Sequence, residues 1–470
     1  MRLILALHRS LAIVVGLLLT VWCLTGVVMV YAPYPRLTLE ERRAGLVPLD
    51  LSNCCRVGGV GLADQAKVTH FSVTMSAGTP VLRLTTDPGG PQAFDLTKGQ
   101  ALGPAGPQRA AAVAAEFLGR RGVHRAAQAP ELVDRDIWTA NLEGGPFWRV
   151  SFDGGAQVHV RQSTGEVVQE STRTERFWSR VGAIPHWQSL TALRRHQGLW
   201  TATVVIVAAV GVFLIVGGAA AAASRLRRRE PSADALVDSW LGLAGLLFGV
   251  VALSFAISGL MMLKPPIPAS APAVDGAALL AGPPPTWDRV RPLLAAAPKL
   301  GMPPPAVEIS GAPFAGGAFM SVRSPGQSMR YDARGELFGP DIMQLSALLS
   351  DRRGPGLASL ISLTREDGYY FGRHRAIRLP VWRAVLRDPG RTRLYIDQTT
   401  GTLLHQVDKD DRVRRWWVQG PHRIDFNLGL RRRPFWDVIV LLLVAGVATV
   451  GGLGAWRSLK AMAAAKDQAR

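Results

Sequence analysis

The sequence predicts a membrane protein of four transmembrane helices, built from a tandem duplication, with two external regions that each combine helix with antiparallel sheet. Three observations predict this fold class. The 470-residue chain is 48% hydrophobic and only 19% charged, whereas soluble proteins carry about a quarter charged residues. Four apolar runs approach or reach the ~20 residues that a bilayer-spanning helix requires. The second half of the chain also repeats motifs of the first half.

The four apolar runs are predicted membrane helices and cover residues 11–32, 200–223, 236–263 and 436–456. The first run is longer than the ~7–15-residue apolar core of a secretory signal, so it is predicted to be an uncleaved anchor. Four arginines follow the second run in a short loop, and short basic loops stay in the cytoplasm. Both termini are therefore predicted to be cytoplasmic, with two long segments on the other side of the membrane.

This topology divides the chain into membrane, external and cytoplasmic segments. In order, they are a membrane helix over 1–32, an external region over 33–199, a membrane helix over 200–223, a basic cytoplasmic loop over 224–235, a membrane helix over 236–263, an external region over 264–435, a membrane helix over 436–456 and a cytoplasmic tail over 457–470.

The tandem duplication is visible as identical residues at one spacing. The pairs that lie 236 positions apart are Gly99/Gly335, Gly103/Gly339, Pro104/Pro340, Gly165/Gly401, Pro185/Pro421, His186/His422 and Trp200/Trp436. The first apolar run also matches the third at an offset of 233, which aligns Gly26 with Gly259. Each half crosses the membrane twice, so both halves have the same orientation. The predicted arrangement is a pseudo-twofold axis along the membrane normal.

Each external region is predicted to contain a helix followed by an antiparallel meander, because an alanine-rich stretch precedes short alternating runs separated by turn signals. In the first copy the helix is predicted over 108–121 and the strands over 137–140, 147–152 and 158–161. In the second copy the helix is predicted over 341–349 and the strands over 381–386 and 393–397. Proline-rich linkers are predicted at 264–273 and 282–286.

Composition excludes several classes of function. The formal net charge of +19 suits either a nucleic-acid binder or a membrane protein, and the apolar content favours the membrane. The arginine- and tryptophan-rich stretch 412–417 is therefore predicted to face lipid headgroups. The three cysteines show no zinc or C-x-x-C spacing, and neighbouring Cys54 and Cys55 are predicted to be poorly placed to pair. No nucleotide, flavin or hydrolase motif is present in the sequence.

Several motifs resemble one protein family. The strand and turn from Tyr395 through Asp397 to Gly401 resemble the PepSY domain. A Leu-His-Arg start before an apolar helix that ends Leu-Thr-Gly26, and the Pro-His422 segment before the last apolar run, resemble the PepSY-associated transmembrane family of bacterial inner membranes. The resemblance implies two periplasmic PepSY-like regions. Some members of this family are similar to haem-containing reductases or accessory proteins of iron and siderophore uptake, and soluble PepSY modules are associated with peptidase propeptides.

Four histidines are the candidate cofactor ligands. Membrane bundles that carry electrons hold haem between histidines, and the absence of C-x-x-C-H makes any haem here b-type. His186 and His422 are repeat mates and are the predicted ligands of the haem iron, although Pro-His could equally mark a backbone turn. His196 and His8 are further candidates near membrane ends. Asp425 is predicted to share a helical face with His422 and to orient its ring.

The other five histidines are predicted to be solvated side chains of the external regions. They are His70, His124, His159, His374 and His405.

Two functions of different classes fit this sequence. The first is haem-b electron transfer across the inner membrane, as a reductase for periplasmic ferric chelates, with a quinol or another protein as electron donor. The second is a non-enzymatic PepSY protein that binds peptides or modulates a peptidase. Both place the chain in the lipid bilayer, and neither involves nucleic acid.

Overall fold

A computed structural model describes residues 2–467, except 135, 141, 188–192, 194–195, 229–234, 263–273, 303–304, 352–353, 373–376 and 428. The chain forms two compact units. The helical unit comprises Met1–Tyr34, Thr174–Pro268 and Asp410–Arg470, and the sheet unit comprises Pro35–Arg173 and Ala269–Lys409. The predicted linker over 264–273 lies outside the described residues.

The helical unit contains four long helices, Arg2–Tyr31, Gln197–Arg228, Ala235–Met262 and Phe435–Asp467. Three of them are long and apolar enough to cross a membrane, over Gln197–Ala220, Gly242–Met262 and Phe435–Ala464. Within the described residues, the first long helix contributes a shorter apolar stretch, Gly16–Tyr31. These helices suggest a multi-pass membrane protein in contact with the lipid bilayer.

The long helices pack through small residues at equivalent positions of the two halves. A Cβ atom added to Gly16 of the first helix would lie 2.9 Å from the carbonyl oxygen of Gly451 in the fourth. At the equivalent place, a Cβ atom on Gly249 of the third helix would lie 3.9 Å from Ile215 of the second. The two glycines allow the first and fourth helices to approach closely, whereas the contact with Ile215 is an ordinary van der Waals distance. The first helix therefore packs on the fourth as the third packs on the second.

Short helices precede the second and fourth long helices in the helical unit. They are Arg173–Val181 and Ala183–His186 before the second, and Lys409–Arg414, a π-helical turn Arg415–Gln419 and Gly420–Arg423 before the fourth. Both runs therefore carry a Pro-His dipeptide in a single helical turn.

The sheet unit contains fifteen described strands. The first half contributes β1 (Lys67–Ser76), β2 (Thr79–Asp87), β3 (Gly90–Asp95), β4 (Gln100–Leu102), β5 (Glu131–Val133), β6 (Phe147–Ser151), β7 (Gln157–Arg161) and β8 (Val167–Ser171). The second half contributes β9 (Glu308–Gly311), β10 (Met320–Ser324), β11 (Gln327–Tyr331), β12 (Leu357–Leu363), β13 (Val381–Leu386), β14 (Arg393–Asp397) and β15 (Leu403–Val407).

The helices of the sheet unit are short. They are Leu39–Ala44, Pro107–Arg120, Gly276–Ala281, Trp287–Ala296 and Ile342–Leu349, with single 3₁₀ turns at Val57–Val60 and Ala297–Lys299.

One seven-stranded antiparallel sheet joins the two halves, in the order β11-β10-β9-β1-β2-β3-β4. Its central strands β1 and β9 pair with Ser72 opposite Ser310. One face is apolar and packs Phe71, Leu84 and Ile309 with Trp287 of the helix Trp287–Ala296. This sheet therefore has a core on one side that both halves build.

Two four-stranded meanders repeat one another, in the orders β5-β6-β7-β8 and β12-β13-β14-β15. The first packs on the helix Pro107–Arg120 through Phe117 and Val158. The second packs on the helix Ile342–Leu349 through Leu345 and Leu394. The predicted helices 108–121 and 341–349 and the strands 381–386 and 393–397 are confirmed to within one residue at each end.

Two sequence predictions are wrong in the first half. Residues 137–140 form a turn instead of a strand, because the Asp136 carboxylate accepts the backbone amides of Trp138 and Thr139. Such a side-chain turn competes with strand pairing. Cys54 and Cys55 form a disulfide across a cis peptide bond, which brings their Cα atoms to 3.1 Å. The prediction had assumed that neighbouring cysteines cannot approach in this way.

Candidate functional site

The imidazole of His186 lies against the first long helix. Its Nδ1 atom is 3.0 Å from the carbonyl oxygen of Trp22 and 3.5 Å from the hydroxyl of Thr25. The indole Nε1 of Trp22 donates in return to the carbonyl oxygen of His186, at 2.5 Å. A Cβ atom added to Gly26 would lie 3.1 Å from the ring. The ring therefore occupies a place that glycine leaves open.

The imidazole of His422 lies in the same way against the third long helix. Its Nδ1 atom is 3.2 Å from the hydroxyl of Ser258. The ring of Phe255 packs edge-on to it, with 6.1 Å between ring centroids. A Cβ atom added to Gly259 would lie 3.3 Å from the His422 ring. Both Pro-His turns are therefore held on a helix by an aromatic residue, a hydroxyl and a glycine.

The two contact sets correspond residue by residue. Trp22, Thr25 and Gly26 lie 233 positions before Phe255, Ser258 and Gly259, which is the offset of the apolar repeat. The sequence had shown two separate motifs, Thr/Ser-Gly and Pro-His. In the structure each half brings its own pair of motifs into contact. The aromatic residue three positions before the hydroxyl was missed, although it repeats at the same offset.

Hydrogen bonding assigns the same tautomer to both rings. A carbonyl oxygen only accepts, so Nδ1 of His186 carries the proton that it donates to Trp22. The hydroxyl of Ser258 donates to the carbonyl oxygen of Ser254, at 2.5 Å, and therefore accepts from Nδ1 of His422. When such a ring is neutral, its lone pair is on Nε2. Burial lowers the pKa of His186, against the opposing effect of its hydrogen bond to Trp22, and so favours the neutral ring.

Two tryptophans fix the chain directly after each histidine. The indole Nε1 of Trp200 donates to the carbonyl oxygen of Trp187, at 3.2 Å, and that of Trp436 donates to the carbonyl oxygen of Arg423, at 2.9 Å. The repeated Trp that follows Pro-His by fourteen positions thus closes the turn. It holds the backbone of the residue after each histidine at the start of the next long helix.

Asp425 does not have the predicted role. Its carboxylate pairs with Arg415, at 2.8 Å, and both side chains are almost fully buried. The helix Gly420–Arg423 ends at Ile424, whose positive φ of 51° turns the chain away from the helical face of His422. The Nδ1 partner of His422 is instead Ser258.

The remaining candidate ligands are placed differently from the repeated pair. His196 is exposed at the bend before the second long helix, where its carbonyl oxygen accepts the amide of Trp200. His8 belongs to the first long helix, but its side chain lies outside the described residues. No group of three or more His, Cys, Asp or Glu side chains that could hold a metal ion occurs among the described residues.

One of the predicted solvated histidines is buried. The His159 side chain is fully buried, and its Nε2 atom is 3.0 Å from the carboxylate of Asp136. Tyr395 occupies the equivalent position of the second half and donates to Asp367, at 2.9 Å. The prediction failed because alternation within a short strand does not reveal a polar partner from another segment. His70, His124 and His405 are exposed as predicted, and His374 lies outside the described residues.

The repeated histidine contact is the arrangement best suited to bind a metal or a cofactor. A histidine whose Nδ1–H is held by a carbonyl or hydroxyl oxygen presents Nε2 as a metal ligand in a fixed orientation. Neutral imidazole with this arrangement is the ordinary axial ligand of haem iron. The residues present therefore fit the group that the family resemblance implies. No family model matches the chain, and no curated protein is similar enough to count as a relative. The PepSY resemblance thus stays a prediction.

Proposed function

We propose that this chain is a PepSY-type protein of the bacterial inner membrane that transfers electrons through haem b to periplasmic ferric chelates. His186 and His422 would hold the haem iron. The observation that carries the proposal is the equivalent seating of both imidazoles on the first and third long helices, each with Nδ1 engaged. A bound haem would supply a one-electron iron centre, and a quinol or a partner protein would supply the electrons.

The chain's own residues prepare both histidines for this role. Trp22 holds the Nδ1 proton of His186, and Ser258 holds that of His422. The two rings therefore keep their orientation. Gly26 and Gly259 allow the rings to approach the helix backbone. Both histidines are half-buried beside an apolar helix, and partial burial favours a neutral ligand over a charged one.

The proposed topology has four membrane spans, with both termini in the cytoplasm and both PepSY-like regions in the periplasm. It is supported by the three apolar helices and by the long first helix, whose partner is the fourth. The basic residues that follow the second apolar run support a cytoplasmic position for that loop.

The test is the absorption spectrum of the purified protein, oxidised and reduced, with the haem content measured on the same samples. We expect a b-type spectrum that is lost or shifted in His186→Ala and in His422→Ala. His196→Ala is the matched control, because His196 is exposed and precedes the same long helix. A full haem complement in both single variants would show that the pair is structural. A wild-type protein without haem would refute the proposal itself.

The alternative is a non-enzymatic PepSY protein that binds peptides or modulates a peptidase. The observation in its favour is that Trp200 and Trp436 fix the two Pro-His turns through backbone carbonyl oxygens. Those contacts stabilise a turn whether or not a cofactor is present. In that case the histidine variants would change thermal stability, and the spectrum of the wild-type protein would show no haem.

A further inference from the structure

The seven-stranded sheet has a second face that is polar and buried. Its strands alternate, so the residues beside the apolar ones point to the opposite side. On that side lie Ser72, Thr74 and Arg83 of the first half and Ser310 and Arg330 of the second, each less than 9% exposed. A buried polar face of this extent is unusual, because buried polar groups need partners.

Charged groups meet beside the place where the two halves join. Arg323 of β10 lies directly opposite Glu308 of β9, and its Nε donates to Ser310, at 3.2 Å. Ser310 in turn pairs with Ser72 across the two halves. Glu308 accepts from Arg43, at 3.2 Å. The centre of the polar face therefore carries two guanidinium groups for one carboxylate.

An ion pair from each meander flanks this centre. Arg42 pairs with Glu166 of the first half, at 3.0 Å, and Arg378 pairs with Asp397 of the second half, at 3.0 Å. Burial lowers the pKa of Arg323, and the neighbouring guanidinium groups of Arg43, Arg378 and Arg42 lower it further, against the effect of Glu308. The positive charges around Arg323 are thus close enough to repel one another.

Two further arginines add to the positive charge. Arg83 donates to the carbonyl oxygen of Thr164, at 2.9 Å, and to the hydroxyl of Thr74, at 2.6 Å. Arg330 is 4% exposed, and among the described residues its Nε and Nη1 atoms have no hydrogen-bond partner. The guanidinium groups at 42, 43, 83, 323, 330 and 378 therefore outnumber the carboxylates of Glu166, Glu308 and Asp397 by two to one.

A surface pocket leads to the polar face. It is lined by Arg42, Arg83 and Glu166, and it reaches the hydroxyl of Ser76, which is 1% exposed and has no partner among the described residues. Arg378, with 42% of its side chain exposed, gives the other side of the face contact with solvent. The polar face therefore meets solvent beside Arg42 and Arg83 at one edge and at Arg378 at the other.

We propose that the polar face binds a multiply charged, oxygen-rich anion at the junction of the two halves, between Arg43, Arg323 and Arg378. Guanidinium groups that outnumber the neighbouring carboxylates are suited to the carboxylate oxygens of a ligand, which they bind by charge-assisted and bidentate hydrogen bonds. Given the proposed function, on which this assignment rests, the anion is a ferric chelate of the carboxylate class. A cationic hydroxamate chelate would be repelled.

The test is calorimetric titration of the full-length protein in detergent with ferric citrate, and with the cationic chelate ferrioxamine B as the matched ligand control. We expect ferric citrate to bind and ferrioxamine B not to bind. We expect Arg323→Gln and Arg378→Gln to weaken ferric citrate binding at least tenfold, and high salt to weaken it in the wild type. Arg334→Gln, an exposed arginine on a turn of the same unit, should leave the affinity unchanged.

Arg378→Gln is the variant with the smaller expected effect on folding, because 42% of that side chain is exposed, and the thermal midpoint of each variant is measured on the same samples. Unchanged affinity in Arg378→Gln and Arg323→Gln, or equal binding of both chelates, would overturn the inference. The haem spectrum of the same samples separates it from the proposed function. Haem without chelate binding would refute the anion site alone, and chelate binding without haem would refute electron transfer alone.

Discussion

Replacing Asp136 by Asn tests how the first meander is held together. The Asp136 carboxylate accepts the amides of Trp138 and Thr139, at 2.8 and 2.9 Å, and contacts Nε2 of the buried His159, at 3.0 Å. Arg149 of β6 adds an ion pair at 3.4 Å. This one carboxylate therefore connects the turn before β6 with strands β6 and β7.

The magnitude follows from the pKa of this group. Burial alone would raise the pKa of Asp136, but the hydrogen bonds from His159, Thr139 and Trp138 lower it from 3.8 to about 2. Such a lowering corresponds to about 2.5 kcal/mol of stabilisation at neutral pH. Because the folded pKa lies below the unfolded value, this contribution is present above about pH 4 and is lost as the pH falls toward about 2. Asn keeps the amide contacts but loses the charge.

Hydrogen–deuterium exchange of the full-length protein in detergent measures the effect locally. At pH 7 we expect Asp136→Asn to raise the opening equilibrium of β6 and β7 by roughly 60-fold, which corresponds to the same free energy. The β13 and β14 strands should be unaffected. Asp367→Asn is the matched variant, because Asp367 accepts the amides of Tyr369 and Tyr370 and contacts Arg383 in the same way. It should loosen β13 and β14 and leave β6 and β7 unchanged.

Two results would refute this reasoning. The first is exchange in β6 and β7 that Asp136→Asn leaves within twofold of the wild type at pH 7. The second is a difference between variant and wild type that stays the same when the pH falls from 6 to 3, since a contribution from an ionised carboxylate must shrink over that range.

Three further predictions concern the helical unit and the membrane topology. In Gly26→Ala the added methyl group would lie 3.1 Å from His186, so we expect overpacking to cost about 1–3 kcal/mol, seen as a lower thermal midpoint and a displaced haem spectrum. Gly218→Ala, where the space is open, should not lower the thermal midpoint and should leave the spectrum unchanged, because alanine favours a helix over glycine. Arg415→Met removes the Arg415 partner of the buried Asp425 carboxylate and should cost about 3–5 kcal/mol in thermal unfolding, more than Asp425→Asn costs. A reporter fused after residue 228 should be cytoplasmic and one near residue 280 periplasmic, and the reverse would refute the topology.

The sequence pattern predicted those helices and strands whose formation depends on residues close together in the chain. The strand Val381–Leu386 was predicted from alternation and the helix Ile342–Leu349 from repetition of the first copy, and the structure adds a capping box formed by Asp341 and Gln344. The pairing of β1 with β9 could not be predicted, because it joins strands that lie more than two hundred residues apart. The seven-stranded sheet and its polar face therefore emerge only in the structure.

The sequence predicted the two histidines of the candidate site but not the residues that they contact. Repetition alone selected His186 and His422, since few residues persisted at the same offset. It could not predict which helix each ring contacts, because that contact joins segments from opposite ends of each half. His159 was misassigned for the same reason, since its partner Asp136 belongs to a turn that the alternation pattern read as leading into a strand.

In each of the two units, the two halves of the chain contact one another through equivalent positions. In the helical unit Gly16 faces Gly451 as Gly249 faces Ile215, and in the sheet unit Ser72 meets Ser310 at the junction of the halves. Surfaces that pair in this way cannot be buried by one half alone, so each half depends on the other for its core. A substitution at such a junction must fit the packing of both halves, whereas side chains elsewhere can differ between the halves.

The pair of Arg415 and Asp425 is an example of such a difference, since Ser179 occupies the position equivalent to Arg415. The retained glycine, hydroxyl and histidine contacts lie in regions that did diverge, which supports a task that both halves still share.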